Sequence, residues 1–212
     1  MTFSVALKST DLAALLCSRI CHDLISPVGA IQNAMELYDE GGSEEDALQL
    51  VRLSVASASA RLQFARLAFG FAGTSGGQID TRSAEQVAQQ YMKEEKATLT
   101  WQAPSLLLPK NEIKLLLNLL LIANATVSRG GDIVITILHN ENMRSFRFEI
   151  HSTALRIPTY FIALYNGEIQ EEITDAHVIQ FYYTVLLAKM TDMKIKIEET
   201  ESHVILESVK KL

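Results

Sequence analysis

The sequence predicts an α + α/β protein: an N-terminal antiparallel helical hairpin that forms a dimeric four-helix bundle, followed by an α/β sandwich. Three observations lead there. Apolar residues alternate by threes and fours over residues 10–72 with one glycine interruption; a glycine-dense stretch follows; beyond it, helical and strand periods are interspersed.

The first helix spans Thr10 to Glu40, with apolar or small residues at Cys17, Cys21, Leu24, Val28, Ile31, Met35 and Tyr38, a heptad seam. Asp39-Glu40-Gly41-Gly42-Ser43 breaks it. The glycines supply the turn, and Ser43 is the predicted N-cap ahead of Glu44, Glu45 and Asp46, which suit the positive end of a helix. The second seam runs Leu48, Val51, Val55, Ala58, Leu62, Ala65, Phe69 and Ala72. Helices of about 30 residues are each about 45 Å long, and so short a turn makes them antiparallel. A lone hairpin cannot bury both stripes. Pairing two copies about a two-fold axis closes the bundle, so a homodimer is expected.

Gly70-Phe-Ala-Gly-Thr-Ser-Gly-Gly-Gln78 marks the domain boundary, dividing the chain into 1–73 and 79–212. The second part is predicted to hold a helix over 83–95, a strand at Ala97 to Gln102 and an apolar helix over 110–127. Two alternating strands follow, Asp132 to His139 and Arg144 to His151, joined by Asn140-Glu141-Asn142. A helix at 175–191 and a hairpin of Met193 to Glu199 with His203 to Val209 complete a two-layer sandwich, helices on one face of the sheet.

With 212 residues and 48% hydrophobic content, the chain is globular. No apolar run reaches the roughly 18 residues that cross a bilayer, and the opening MTFSVALKSTDLAALL lacks a basic leader with a cleavage site. A cytoplasmic protein without membrane association is expected. A net charge of −6 with scattered Lys and Arg argues against nucleic acid. Cys17 and Cys21, the only cysteines, share a helix face and read as small core residues, neither a disulfide nor a zinc pair with His22, which points elsewhere. His139, His151, His177 and His203 share no ligand spacing and support no assignment. Trp101, Tyr182 and Tyr183 read as packing groups.

The segment that carries chemistry is Cys21-His22-Asp23-Leu24-Ile25-Ser26-Pro27-Val28. With the seam inward, His22 shares an outward stripe with Ser26, Gly29, Asn33 and Glu36. An exposed neutral imidazole is a nucleophile near pH 7, and the neighbouring Asp23 carboxylate can fix its tautomer. Pro27 deletes a helical hydrogen bond beside it; Gly29 leaves room for a close approach. On composition alone, such a histidine is a solvated surface residue. The motif around it is what singles it out.

H-D-L-I-S-P-V resembles the H-box of sensor histidine kinases, in which the histidine of a dimeric hairpin carries the phosphoryl group. The resemblance implies that His22 is the phosphoacceptor, Asp23 its acid/base partner and Ser26 a polar residue orienting water or a partner. In those kinases a GHKL-type (Bergerat-like) ATP-binding domain follows. Here Leu115 to Ala125 with Gly130-Gly131-Asp132-Ile133 resembles the Asn-box helix, keeping Asn124-Ala125 but placing Leu120 at the preceding asparagine. Ile150 to Pro158 resembles a D-x-G-x-G box with Ser152, Ala154 and Arg156 at its key positions, and Val178 and Gln180 replace the glycines of the third box. Adenine loses its acceptor and phosphates lose their nest.

An intact H-box with an eroded nucleotide site resembles the ChpT-type histidine phosphotransferases of alphaproteobacteria. That family implies a phosphotransferase, not an ATP-dependent kinase. It relays phosphoryl groups between the receiver of a CckA-like hybrid kinase and those of CtrA-like and CpdR-like response regulators. It implies no ATP and no bound metal, Mg²⁺ coming with the receiver. Gly29, Gln32, Asn33 and Glu36 are candidate receiver contacts, with Arg61 and Arg66 weaker ones. The alternatives are a diverged ATP-using kinase, a non-catalytic adaptor, and a receiver phosphatase acting through Ser26.

Overall fold

The computed structural model describes residues 7–70, 77–169 and 173–212. Of the predicted boundary stretch Gly70 to Gln78, residues 71–76 lie outside them, with the last seam residue Ala72.

Helix α1, Ser9–Glu40, and helix α2, Glu44–Ala68, form the hairpin. Gly41 and Gly42 turn it at φ +80° and +86°, where side chains are strained. Ser43 does not cap α2 with its side chain. Glu44 does the work instead: its Oε1 accepts the Gly42 amide at 3.2 Å, and its own amide, then that of Gly42, hold its carboxyl below the usual value.

Small residues let the two helices approach: Pro27 and Ala34 are buried on α1, and Ala47, Ser54 and Ala60 on α2. The expected seam lies elsewhere on the single chain. Val28 is 55% exposed, Val55 50% and Leu62 53%, with Met35, Tyr38 and Leu48 also exposed. Cys17 and Cys21, expected in the core, are exposed free thiols on that same apolar side. By length and composition alone α1 could cross a membrane, yet Arg19, His22, Asp23, Asn33 and Glu36 give it a polar face, the mark of an amphipathic helix.

The second part carries β2 (Ala97–Gln102), β4 (Gly131–His139), β5 (Met143–His151), β6 (Lys194–Glu199) and β7 (His203–Lys211) in one sheet, ordered β2-β4-β5-β7-β6. Only β2 and β4 pair in parallel. Two short strands the sequence did not disclose, β1 (Gln78–Asp80) and β3 (Leu107–Pro109), pair antiparallel at the edge of the fold. Period-two alternation turns Ile133, Ile135 and Ile137 of β4, and Phe146, Phe148 and Ile150 of β5, toward the helices α3 (Thr81–Met92), α4 (Lys110–Thr126) and α6 (Ile179–Met190). Helix α5 (Thr159–Asn166), also unpredicted, ends on Gly167 in the left-handed conformation.

The base of the hairpin is built into this core. Phe64, Leu67 and Ala68 of α2 belong to the same buried cluster as the sheet, with Leu12, Leu15 and Leu16 of α1 packed against it. Carbonyls at a helix C-terminus lack helical partners. Here Asn118 Nδ2 donates to Ala68 O at 3.1 Å and Lys114 Nζ to Phe69 O at 3.3 Å.

Inside the sandwich, Glu112 is 1% exposed and accepts from Arg144 Nη1 at 2.5 Å and from Lys210 Nζ. It joins α4 to β5 and β7. Removing one member of a buried ion cluster strands the others, so Glu112→Leu should cost about 3–5 kcal/mol. Urea unfolding checks this: an unchanged midpoint would mean the cluster contributes nothing net.

Candidate functional site

His22 stands where α1 leaves the α/β part, its side chain 60% exposed. Nδ1 lies 3.6 Å from Asp23 Oδ1. That is too long for a hydrogen bond, though close enough for a strong Coulombic effect when the ring is charged. The carboxylate is otherwise engaged: Arg19, one turn earlier, donates its Nε to Oδ1 at 3.1 Å and Oδ2 at 3.0 Å. Nε2 is thus the ring nitrogen facing away from the carboxylate.

Beside His22 runs an open groove of about 480 Å³ between the helices, lined by Asp23, Ser26, Pro27, Leu53 and Arg61, among others. Leu53 is 59% exposed. It lies off the heptad seam, two positions before Val55, and that mismatch is the sequence signal for a second apolar use of α2. Ser57 Oγ donates to Glu94 Oε2 at 2.5 Å across to the end of α3.

Among the residues singled out from sequence, His22, Asp23, Ser26 and Arg61 meet in the groove. Gly29 adjoins it along α1, with open space where a Cβ would stand. Gln32, Asn33 and Glu36 are exposed further toward the tip and do not line it; Gln32 Nε2 donates to Glu36 Oε1 at 3.4 Å. Arg66 is exposed away from the groove. The structure adds His177, to which the sequence assigned nothing. Its ring meets that of His22 edge to face, centroids 4.5 Å apart at 81°.

Behind the groove a second cavity, of about 300 Å³, separates α1 from the α/β part, with Arg19, Arg61, Tyr91, Glu95 and Gln180 in its walls. Asn124 Nδ2 donates to Glu95 Oε2 at 2.9 Å and Gln180 Nε2 to Asn118 O at 3.3 Å. The stretches compared above with nucleotide-binding boxes carry internal pairs as well. Ser152 Oγ donates to Gly130 O at 2.7 Å and accepts the Ala154 amide at 3.2 Å; Leu120 is fully buried. A Cβ on Gly131 would lie 2.3 Å from His151 O, so that glycine serves strand packing.

An exposed imidazole on a long helical hairpin, joined to an α/β sandwich, is the arrangement of a histidine phosphotransfer protein. Comparison makes the assignment specific: the chain belongs to the histidine phosphotransferase family. The family model for the histidine phosphotransferase C-terminal domain matches residues 81–203. The chain is 49% identical over 205 residues to protein phosphotransferase ChpT of Brucella abortus (strain 2308), covering 97% of this chain and 98% of that one. It also resembles a solved structure of a bacterial phosphotransferase, with a TM-score of 0.91 and 47% identity over 98% of this chain and 100% of the other.

Burial, with Glu95 adding to it, pushes the Tyr91 phenol up to about 12. The ordinary value is near 10. Because the folded value is the higher, this stabilisation is fully present below pH 10 and is lost as pH rises toward 12. Tyrosinate absorbance of wild type minus Tyr91→Phe should show that late step; titration near pH 10 would refute the burial.

Proposed function

We propose that His22 carries the phosphoryl group, shuttling it in the cytoplasm between the receiver aspartate of a hybrid sensor kinase and those of response regulators. The observation that carries this reading is the exposed imidazole opening on a groove, with Asp23 fixed beside Nδ1. Nε2 attacks the phosphorus of a receiver aspartyl phosphate; the N–P bond forms as the acyl O–P bond breaks, and the carboxylate leaves with the electron pair. The proton stays on Nδ1. The ring becomes cationic, and Asp23, held by Arg19, offsets that charge. The return transfer runs the same steps backward. The receiver contributes Mg²⁺ and in-line placement.

ATP plays no part in this reading, because Ser152, Gln180 and Asn124 are spent on internal hydrogen bonds and bulk stands at the former glycine positions. The exposed stripe of Val28, Met35, Leu48, Val55 and Leu62 supports a homodimer, since an isolated hairpin would leave it in water. A receiver helix would lie in the groove against Leu53.

Mixing the protein with a receiver domain charged by acetyl phosphate tests the reading. Wild type should acquire acid-labile, base-stable phosphate, and His22→Ala none; label on His22→Ala, or labelling of wild type by ATP alone, would overturn it. Leu53→Glu should weaken receiver binding about 30-fold, the scale of a central interface residue. Val55→Asp should shift sedimentation toward the monomer.

A further inference from the structure

We infer that His177, contributed by the α/β part, is a positioning residue of the phosphotransfer site: it holds the His22 ring and donates a hydrogen bond to the phosphoryl group once that group is on His22. The inference rests on the carrier reading and adds to it a working role for the second domain.

The contact is constructed from several directions. Ile173 anchors the start of the loop before α6, 3% exposed in the core. Asp175 Oδ1 then accepts the His177 amide at 2.7 Å and its carbonyl the Val178 amide at 3.2 Å, a tight turn that fixes where the His177 side chain departs. From the hairpin side, Arg19 Nη1 donates to His177 O at 3.4 Å while its Nε binds Asp23. The same arginine therefore orients the carboxylate beside His22 and secures the loop that presents His177. Further along, the Leu7 amide donates to Tyr182 Oη at 3.1 Å, tying the start of α1 to α6.

The result is an edge-to-face imidazole pair, a favoured aromatic geometry, with both residues solvent-accessible. A histidine ring has an N–H donor in either protonation state. Asp23 lies beside the Nδ1 edge of His22, and Arg61 and Glu94 face it across the groove. His177 is the aromatic ring that packs against the His22 ring. Phosphorylation places a dianionic group within reach of that second imidazole. A charge-assisted hydrogen bond there lowers the barrier to transfer and protects the phosphohistidine.

Potassium phosphoramidate, which phosphorylates accessible imidazoles with loss of ammonia, tests this on the full chain without any partner. Phosphohistidine is followed by ³¹P NMR in wild type, His22→Ala, His177→Ala and His177→Gln, with long-range ¹H–¹⁵N spectra reporting the His22 ring. Wild type should label at His22, and His22→Ala should lack that resonance while other exposed histidines such as His139 and His151 label as in wild type. His177→Ala should label roughly 10- to 100-fold more slowly, with shifted His22 ring resonances and unchanged far-ultraviolet circular dichroism. His177→Gln, which retains an N–H donor, should recover to within about threefold. Wild-type rate and ring shifts in His177→Ala, or failure of glutamine to rescue, would overturn the role of His177 while leaving the carrier reading intact. Absence of label on wild-type His22 would overturn both.

Discussion

Burial of the hairpin's base in the core of the sandwich is the constraint on which the site depends. Phe64, 2% exposed, with Leu67 and Ala68, takes α2 into the cluster that also holds the sheet and α4. Burying such side chains contributes about 1.5–3 kcal/mol for each large one. Direction matters more than magnitude. Asn118 and Lys114 donate to the Ala68 and Phe69 carbonyls, so two carbonyls at the end of α2 keep partners where the helix meets the core. The hairpin is therefore aimed, and His22 falls at the level where its polar face emerges beside the α3 end and the loop before α6.

From that anchoring follows a division of labour around the hairpin. Small residues make the contact between α1 and α2, which frees the larger apolar side chains for other faces. Val28, Met35, Val55 and Leu62 form one exposed stripe, suited by heptad spacing to another helix pair. Leu53 lies apart from them in the groove with His22. A hairpin with one apolar seam could serve a partner or a second copy, but not both. Under the proposed dimer and docking mode, Leu53 and the stripe of Val55 and Leu62 sit on separate faces of α2, which removes the conflict.

Much of this was legible in the sequence, for identifiable reasons. Heptad spacing is local and repetitive, so both helices emerged within a few residues of their ends, and strand alternation gave the main sheet. The short β1 and β3 were hidden because three residues carry no period. Ser43 misled because its type is right for a cap while Glu44, one residue on, reaches back to the turn. His22, Asp23 and Ser26 were visible as a contiguous motif, and the Arg19–Asp23 pair follows from spacing along one helix. His177 was not visible at all. It stands 155 positions from His22 in the chain, and only tertiary packing brings the rings together. The error with Cys17 and Cys21 has a different cause: heptad spacing places them on one face with Val28 and Met35, and in the single chain that face is exposed while small residues make the contact between the helices.

In the proposed carrier, doing without nucleotide and holding the second domain against His22 are physically linked. A domain that must deliver phosphate from ATP has to bind nucleotide and bring it to the histidine, so it cannot also be fixed against the histidine by its own loop. A carrier charged by an outside receiver has no such requirement. Polar residues at positions that resemble nucleotide-box positions can be spent internally, as Ser152 on Gly130 and Gln180 on Asn118, without cost to the proposed reaction. Arg19 can then bridge Asp23 and the His177 carbonyl. In the proposed carrier the site is ordered by the fold, and the entropy of arranging it is lost once, on folding, instead of at every transfer.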